Sequence, residues 1–215
     1  MSRRERGTIN AATGRRGMGL LLPQLPFAFD DLEPAMSEDA LSFHFARHHL
    51  DHFERTAALA QRAGLGHLTL EELVCSASRA PRLRTLYRHA AEAWNHACFW
   101  ESMRAGGGGA AYGAIGDCLR ERFGSYERFA RRFHGVAATL FGNGWLWLTW
   151  KGDRIRLLTT GAGDTPLVRG HVVLLAVDLW EHAYYLDHQN RRGAWLRTFL
   201  DELVDWDRVN RVLED

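Results

Sequence analysis

The chain has 215 residues, 46% of them hydrophobic and 25% charged, with a formal net charge of +1. That length suffices to bury a sizeable core as one large domain or two small ones, and the balanced charge excludes the basic surplus of a nucleic-acid binder. No apolar run approaches the roughly 20 residues of a membrane span, which leaves eleven histidines and eight tryptophans as the unusual counts.

Residues 1–21, "MSRRERGTINAATGRRGMGLL", are arginine-rich with one acidic residue, Glu5. They read as a disordered extension. The alternative is a targeting segment, a transit peptide or twin-arginine signal, which would make the location organellar or exported. Against export, "MGLLL" is too short for a signal's apolar core before Pro23 and Pro26. Cys75, Cys98 and Cys118 are widely separated and form no CxxC, so a disulfide framework is not expected. A reducing, cytoplasmic compartment is.

From Pro34 the pattern turns helical. "SEDALSFHFARHHLDHFERTAALAQRAG" predicts one helix from an N-cap at Ser37 to a stop at Gly64. "TLEELVCSAS" opens with Thr69 and Glu72 at capping-box spacing. "PRLRTLYRHAAEAWNHACFWESMRAGGGG" predicts a long helix stopped by Gly106–Gly109, a run expected to be a flexible break and a domain boundary. A helical hairpin domain over 22–107 is therefore expected to precede a second domain over 108–215.

In that second part, short helices are predicted around 113–123 and 125–140. "GWLWLTW", a "KGD" turn and "RIRLLTT" then form a β-hairpin. "VVLLAVDLW" is a buried strand, followed by a helical "EHAYYLDHQNRRGAWLRTFLDELV". The layout is α+β, helices first and a small antiparallel sheet later.

"LSFHFARHHLDHF" holds four histidines: His44, His48 and His52 repeat every four residues, with His49 beside the middle one. A helix stacks the three on one face. A lone histidine on an apolar face is more often a hydrogen-bonded core residue than a ligand. His96, between Trp94 and Trp100, and the pair Asp178 and His182 in "DLWEHAYY" shift that balance. An aspartate closing the apolar "VVLLAV" is costly to bury unless a positive group meets it, and a metal ion does so while keeping nearby imidazoles neutral. Three imidazoles with one carboxylate suit Fe, Mn, Co or Zn.

The chain resembles the iron/manganese superoxide dismutase family. The likeness runs from about Leu22 to the C-terminus through "LPQLPFAFDDLEP", "FHFARHH", "AWNHACFW", "FGNGWLWL", "GDTPL" and, most specifically, "DLWEHAYYLDHQNR". It implies a helical hairpin domain followed by an α/β domain with a three-stranded antiparallel sheet. It also implies an oxidoreductase that disproportionates superoxide to dioxygen and hydrogen peroxide. One Fe or Mn ion per subunit would be held by His44, His96, Asp178 and His182; Zn is excluded because it has no redox chemistry.

By the same resemblance, Glu92, His52, His48, Tyr185 and Trp145 are the catalytic surroundings, and Trp94, Trp145, Trp147 and Trp180 wall the site. Arg47 and Arg192 match basic positions at a substrate funnel, where positive charge steers an anion. A homodimer is implied, with a tetramer as the larger alternative. In it Glu181 meets the partner's His182, and Tyr185 meets His48, across the interface. No nucleic acid or membrane is expected as a partner.

Two positions depart from the family pattern. His52 stands where the family has a tyrosine, and Glu92 where iron-type members have a glutamine. Manganese-type members supply that glutamine from the "GDTP" region, where Gly163 stands here. The paired departure predicts a hydrogen-bonded Glu92–His52 pair with His52 partly protonated. "AAEAWNH" leans to iron, "ACFW" and Asp164 to manganese. The alternatives are a slow or non-catalytic protein of this fold, or another metal-dependent redox activity.

Overall fold

A serine ahead of two acidic residues starts the first helix. Ser37 Oγ accepts the Ala40 amide at 3.2 Å, and Glu38 and Asp39 occupy the first turn of α1 (Glu38–Phe43), where the helix end is positive. The structure, a computed structural model, describes residues 20, 22 and 24–214, so the extension expected at 1–21 lies outside the described residues apart from Leu20.

The single helix expected to run to Gly64 is interrupted. His44–His49 form a π-helical segment, and only then does α2 (Leu50–Arg62) resume the ordinary pitch. Such i→i+5 segments are rare and concentrate at functional sites. Thr69 and Glu72 form the expected capping box, each side chain taking the other's amide at 3.2 and 2.9 Å, at the head of α3 (Leu70–Ser78).

A 3₁₀ turn, Pro81–Leu83, leads into α4 (Arg84–Glu101). Every residue of α4 from Ala90 to Trp100 is buried, which makes it the central helix of the molecule. The glycine run beyond it is not a flexible break. Gly108 and Gly109 donate to the carbonyls of Val204 and Asp201 at 2.9 and 3.0 Å. A Cβ on Gly108 would stand 2.2 Å from the Asp201 carbonyl carbon, so glycine is present to let two backbones touch.

After α5 (Gly113–Phe123) and α6 (Tyr126–Ala138) come β1 (Gly144–Lys151) and β2 (Arg154–Gly161), joined by the two-residue turn Gly152–Asp153. With β3 (Val172–Asp178) they form an antiparallel sheet in the order β2-β1-β3. Register matters here: Trp145 of β1 pairs with Asp178 of β3. β3 also packs on α4, which brings the end of the sheet to the central helix.

The helix expected after β3 is broken into pieces. A 3₁₀ turn (Glu181–Ala183) and α7 (Tyr185–His188) end at Gln189, whose φ of 51° no helix accommodates. α8 (Arg192–Thr198) and a π-helical segment (Phe199–Leu203) follow. A further helix, α9 (Trp206–Glu214), lies beyond the segment read as helical. Arg208 fixes it, donating to Glu101 at 2.7 Å and to the Leu174 carbonyl at 3.0 Å. The three cysteines are free thiols. Among the described residues no helix is long and apolar enough to cross a membrane.

Candidate metal centre

Four side chains from separate elements converge where the sheet end meets α4. His44 comes from the π-helical segment, His96 from α4, Asp178 from the last position of β3, and His182 from the 3₁₀ turn after it. Each offers one ligand atom, and these atoms lie within 4.8 Å of one another. Asp178 Oδ2 stands 3.2 Å from His44 Nε2, 3.3 Å from His182 Nε2 and 3.7 Å from His96 Nε2. Despite those distances the angles do not make hydrogen bonds, and all four atoms are buried without a partner.

The second polar atoms of His96 and Asp178 are held. His96 Nδ1 lies 2.7 Å from the Glu92 carbonyl and so carries the proton, which leaves the Nε2 lone pair pointing inward. Asp178 Oδ1 accepts the Trp180 amide at 2.8 Å. Burial alone would push the Asp178 carboxyl up, but His182 and His44 beside it outweigh that and hold it at about 2. Burial lowers His44, against the pull of Asp178, and lowers His96 further, with His44 adding to the effect. The result at neutral pH is that the neutral imidazoles of His44 and His96 face a buried carboxylate. An unpaired buried charge costs several kcal/mol, and a cation among the four atoms removes that cost. The set fits a divalent or trivalent metal ion.

Aromatic rings close the centre. Trp145 lies edge-on to His96 at 4.9 Å, Trp180 lies 5.5 Å from His182, and Trp100 and Phe99 lie 4.8 and 5.7 Å from His44. Trp94 and Trp147, expected as walls, instead stack on each other at 6.2 Å, and Trp147 packs behind Trp145. They form the next layer of core. Trp100 and Phe99 take the wall position because the pitch of α4 turns Phe99 and Trp100, three and four residues after His96, back to its face.

The expected Glu92–His52 pair does not form. Glu92 Oε1 accepts the Gly163 amide at 2.6 Å and Oε2 accepts Trp145 Nε1 at 3.0 Å. His52 Nδ1 instead faces His89 Nδ1 at 3.1 Å. Nor is His52 partly protonated: burial, with His89 next to it, lowers it to about 4. Burial also lowers His48, beside His182 at 4.0 Å between ring centres, to about 3. Glu92 moves the other way, raised by burial, against the Gly163 hydrogen bond, to about 7. Gly163 has φ 68°, and a Cβ there would come within 2.9 Å of Arg88 Cγ. A glycine is required where the manganese-type glutamine was sought.

His89 was not singled out from the sequence. Its signal was present: His89, Glu92 and His96 fall at the i, i+3 and i+7 positions of one helix face. His49, the odd member of the histidine run, turns away and is buried, accepting from Trp100 Nε1 at 3.1 Å and lying 3.0 Å from the Ala93 carbonyl. Of the other expected residues, Arg47, Glu181 and Tyr185 are exposed. Arg192 is half-buried and donates to the carbonyls of Gly142 and Leu140 at 3.1 and 3.3 Å, which pins the loop before β1.

Residues 20–104 match the family model described as iron/manganese superoxide dismutases, alpha-hairpin domain, and residues 111–212 match the corresponding C-terminal domain. The chain is 40% identical over 204 residues to the chloroplastic superoxide dismutase [Fe] 1 of Arabidopsis thaliana, covering 95% of this chain and 96% of that protein. It is 38% identical over 190 residues to the superoxide dismutase [Fe] of Synechococcus elongatus, covering 88% and 94%. To the superoxide dismutase [Mn] of Rhizobium meliloti it is 37% identical over 198 residues, covering 92% and 98%.

Proposed function

The chain belongs to the iron/manganese superoxide dismutase family, and on that premise we propose that it disproportionates superoxide at one iron or manganese ion per subunit, held by His44, His96, Asp178 and His182. The observation that carries this reading is the convergence of four buried ligand atoms that have no protein partner. An iron or manganese ion held by these four residues would supply one-electron chemistry between its trivalent and divalent states, which is what converting two superoxides and two protons into dioxygen and hydrogen peroxide requires. Bound through three imidazole lone pairs and one carboxylate, an ion would meet a single compensating negative charge, that of Asp178.

The chain's own residues prepare that chemistry. Trp145, Trp180, Trp100 and Phe99 keep bulk water from the inner atoms. Glu92 holds the Trp145 indole and, with two donors already on its oxygens, can take up a proton near neutral pH. His48, His52 and His89 form a row from the centre toward solvent, with ring centres 4.9 and 5.2 Å apart, and His89 is half-exposed at its outer end. We assign the delivery of the two protons to this row. His52 and His89 thus take the place of the family's tyrosine relay. Arg47 and Arg192 supply positive charge at the approach for the anion.

A homodimer is the assembly this reading favours. Glu181, His182, Tyr185 and His48 would meet the partner, and Tyr185, Leu186 and Phe141 present apolar surface at 50%, 63% and 102% exposure. Division into a helical hairpin over 22–107 and an α/β unit over 108–215 is supported by the ends of the two family matches at 104 and 111. Free thiols favour a cytoplasmic location.

Elemental analysis together with superoxide consumption tests the function. Iron- or manganese-loaded protein is expected to consume superoxide, and the metal-stripped protein to recover activity on reloading. A protein that retains iron or manganese at these four residues and consumes no superoxide overturns the reading.

A further inference from the structure

At the far end of the sheet from the metal centre, α5, α6, β2 and the turn before β3 enclose a hollow of about 330 Å³. Arg122, Arg132, Arg156 and His171 line it from four different elements, with the apolar Phe123, Leu157 and Leu158 among them; the Arg122 guanidinium lies 6.0 Å from the centre of the Phe123 ring. No carboxylate lines it. Among the described residues none of the three guanidinium groups makes a salt bridge or a side-chain hydrogen bond to protein. A neighbouring hollow, which shares Arg122, does contain Glu121 and Asp153, and Asp153 is taken by Arg154 at 3.0 Å.

The charged side chains that line this hollow are all of one sign, in a chain whose net charge is only +1. Burial lowers His171, and the charges next in effect are Lys151, Arg156 and Arg169, all positive. Its ring is held in place: Thr149 Oγ1 donates to the Arg156 carbonyl at 3.4 Å and lies 2.9 Å from His171 Nδ1, which fixes the imidazole beside Arg156. Guanidinium forks match the oxygens of a phosphate in pairs. The half-buried Phe123, Leu157 and Leu158 offer apolar contact to a flat ring, and the volume lies at the lower end of small-molecule sites.

We propose that this hollow binds a phosphomonoester joined through a sugar to a planar base, a nucleoside monophosphate, through Arg122, Arg132, Arg156 and His171. It is distinct from the metal centre. Trp150 of β1, which pairs with Ile155, is five residues from Trp145, about 17 Å along the strand. Nothing in the proposal depends on superoxide chemistry.

Isothermal titration of the metal-loaded full chain with adenosine monophosphate, inorganic phosphate, adenosine and a single-stranded oligonucleotide tests it. Adenosine monophosphate is expected to bind one per chain, about tenfold tighter than phosphate, with adenosine weaker than both. Arg132→Gln and Arg156→Gln should each weaken it about tenfold, with superoxide consumption unchanged. Binding should also raise the His171 titration midpoint seen by NMR, since an anion would then join Thr149, Lys151, Arg156 and Arg169 around that ring. The proposal is overturned by wild-type protein that shows no heat with the monophosphate at roughly 10 mM. Affinity equal to that of bare phosphate, binding untouched by either substitution, or capture of the oligonucleotide alone would overturn it equally.

Discussion

The inner and outer imidazoles of the centre lie side by side yet differ in how their nitrogens are used. His44, His96 and His182 each end on a buried Nε2 with no protein partner. His49, His52 and His89 spend theirs on Trp100, the Ala93 carbonyl and each other. Histidine spacing alone does not separate the two groups. Hydrogen-bond accounting does, because three open nitrogens and an open carboxylate oxygen within 4.8 Å of one another leave a space that a cation can complete.

The hardest blow to that division is Asp178→Ala. It should lower metal affinity more than about 100-fold and abolish superoxide consumption, as read by elemental analysis and assay. Retained metal would mean that the open atoms are not ligands. Stripping the metal from wild type should itself cost about 4 kcal/mol of stability where free metal stood roughly 1,000-fold above its Kd. Equal melting of the stripped and loaded forms would contradict this.

An outer imidazole should behave in the opposite sense. His49→Ala leaves a cavity and an unpartnered Trp100 N–H, for a loss of about 3 kcal/mol in denaturant titration with metal content unchanged. Loss of metal in a folded His49→Ala protein would blur the two layers.

Glu92 sharpens the comparison through pH. Burial raises it from 4.5 to about 7, so between those values the folded metal-free protein holds a proton that the unfolded chain has lost. Stability must then fall as pH rises through that window, by about 3 kcal/mol in total, and level off above it. Glu92→Gln removes that slope. A wild-type profile parallel to the variant's between pH 5 and 8 would show that the carboxyl is not the titrating group.

The smallest effect concerns the outer pair. His52→Ala and His89→Ala should each slow turnover, and the double variant should lose about 1 kcal/mol less than the sum. Strict additivity would separate the two rings functionally.

Local chemistry was legible in advance. Ser37, the Thr69–Glu72 box and the β1–β2 turn act over a few residues, and each element starts where those residues place it. The four inward groups were also named, from a resemblance carried by "DLWEHAYY" and its companions. What escaped depends on partners distant in sequence. The Glu92–His52 expectation failed because the packing of α2 on α4 sets His52 against His89, 37 residues away. The glycine run looked like a hinge because its partners, at 201 and 204, lie almost a hundred residues downstream. The breaks between 181 and 206 carry no proline, and only Gln189's backbone betrays one of them.

The π-helical segment at His44–His49 has a consequence for how this chain tolerates change. It accommodates one residue more than an ordinary turn, so removing a single residue such as Ala46 would restore regular pitch without shortening the molecule noticeably. Because a turn closed by i→i+5 bonds holds one residue that a turn closed by i→i+4 bonds does without, the chain on either side would keep nearly its present bearing, His44 included. A one-codon loss here would thus tighten a single turn beside the centre while the hydrophobic interior stayed filled.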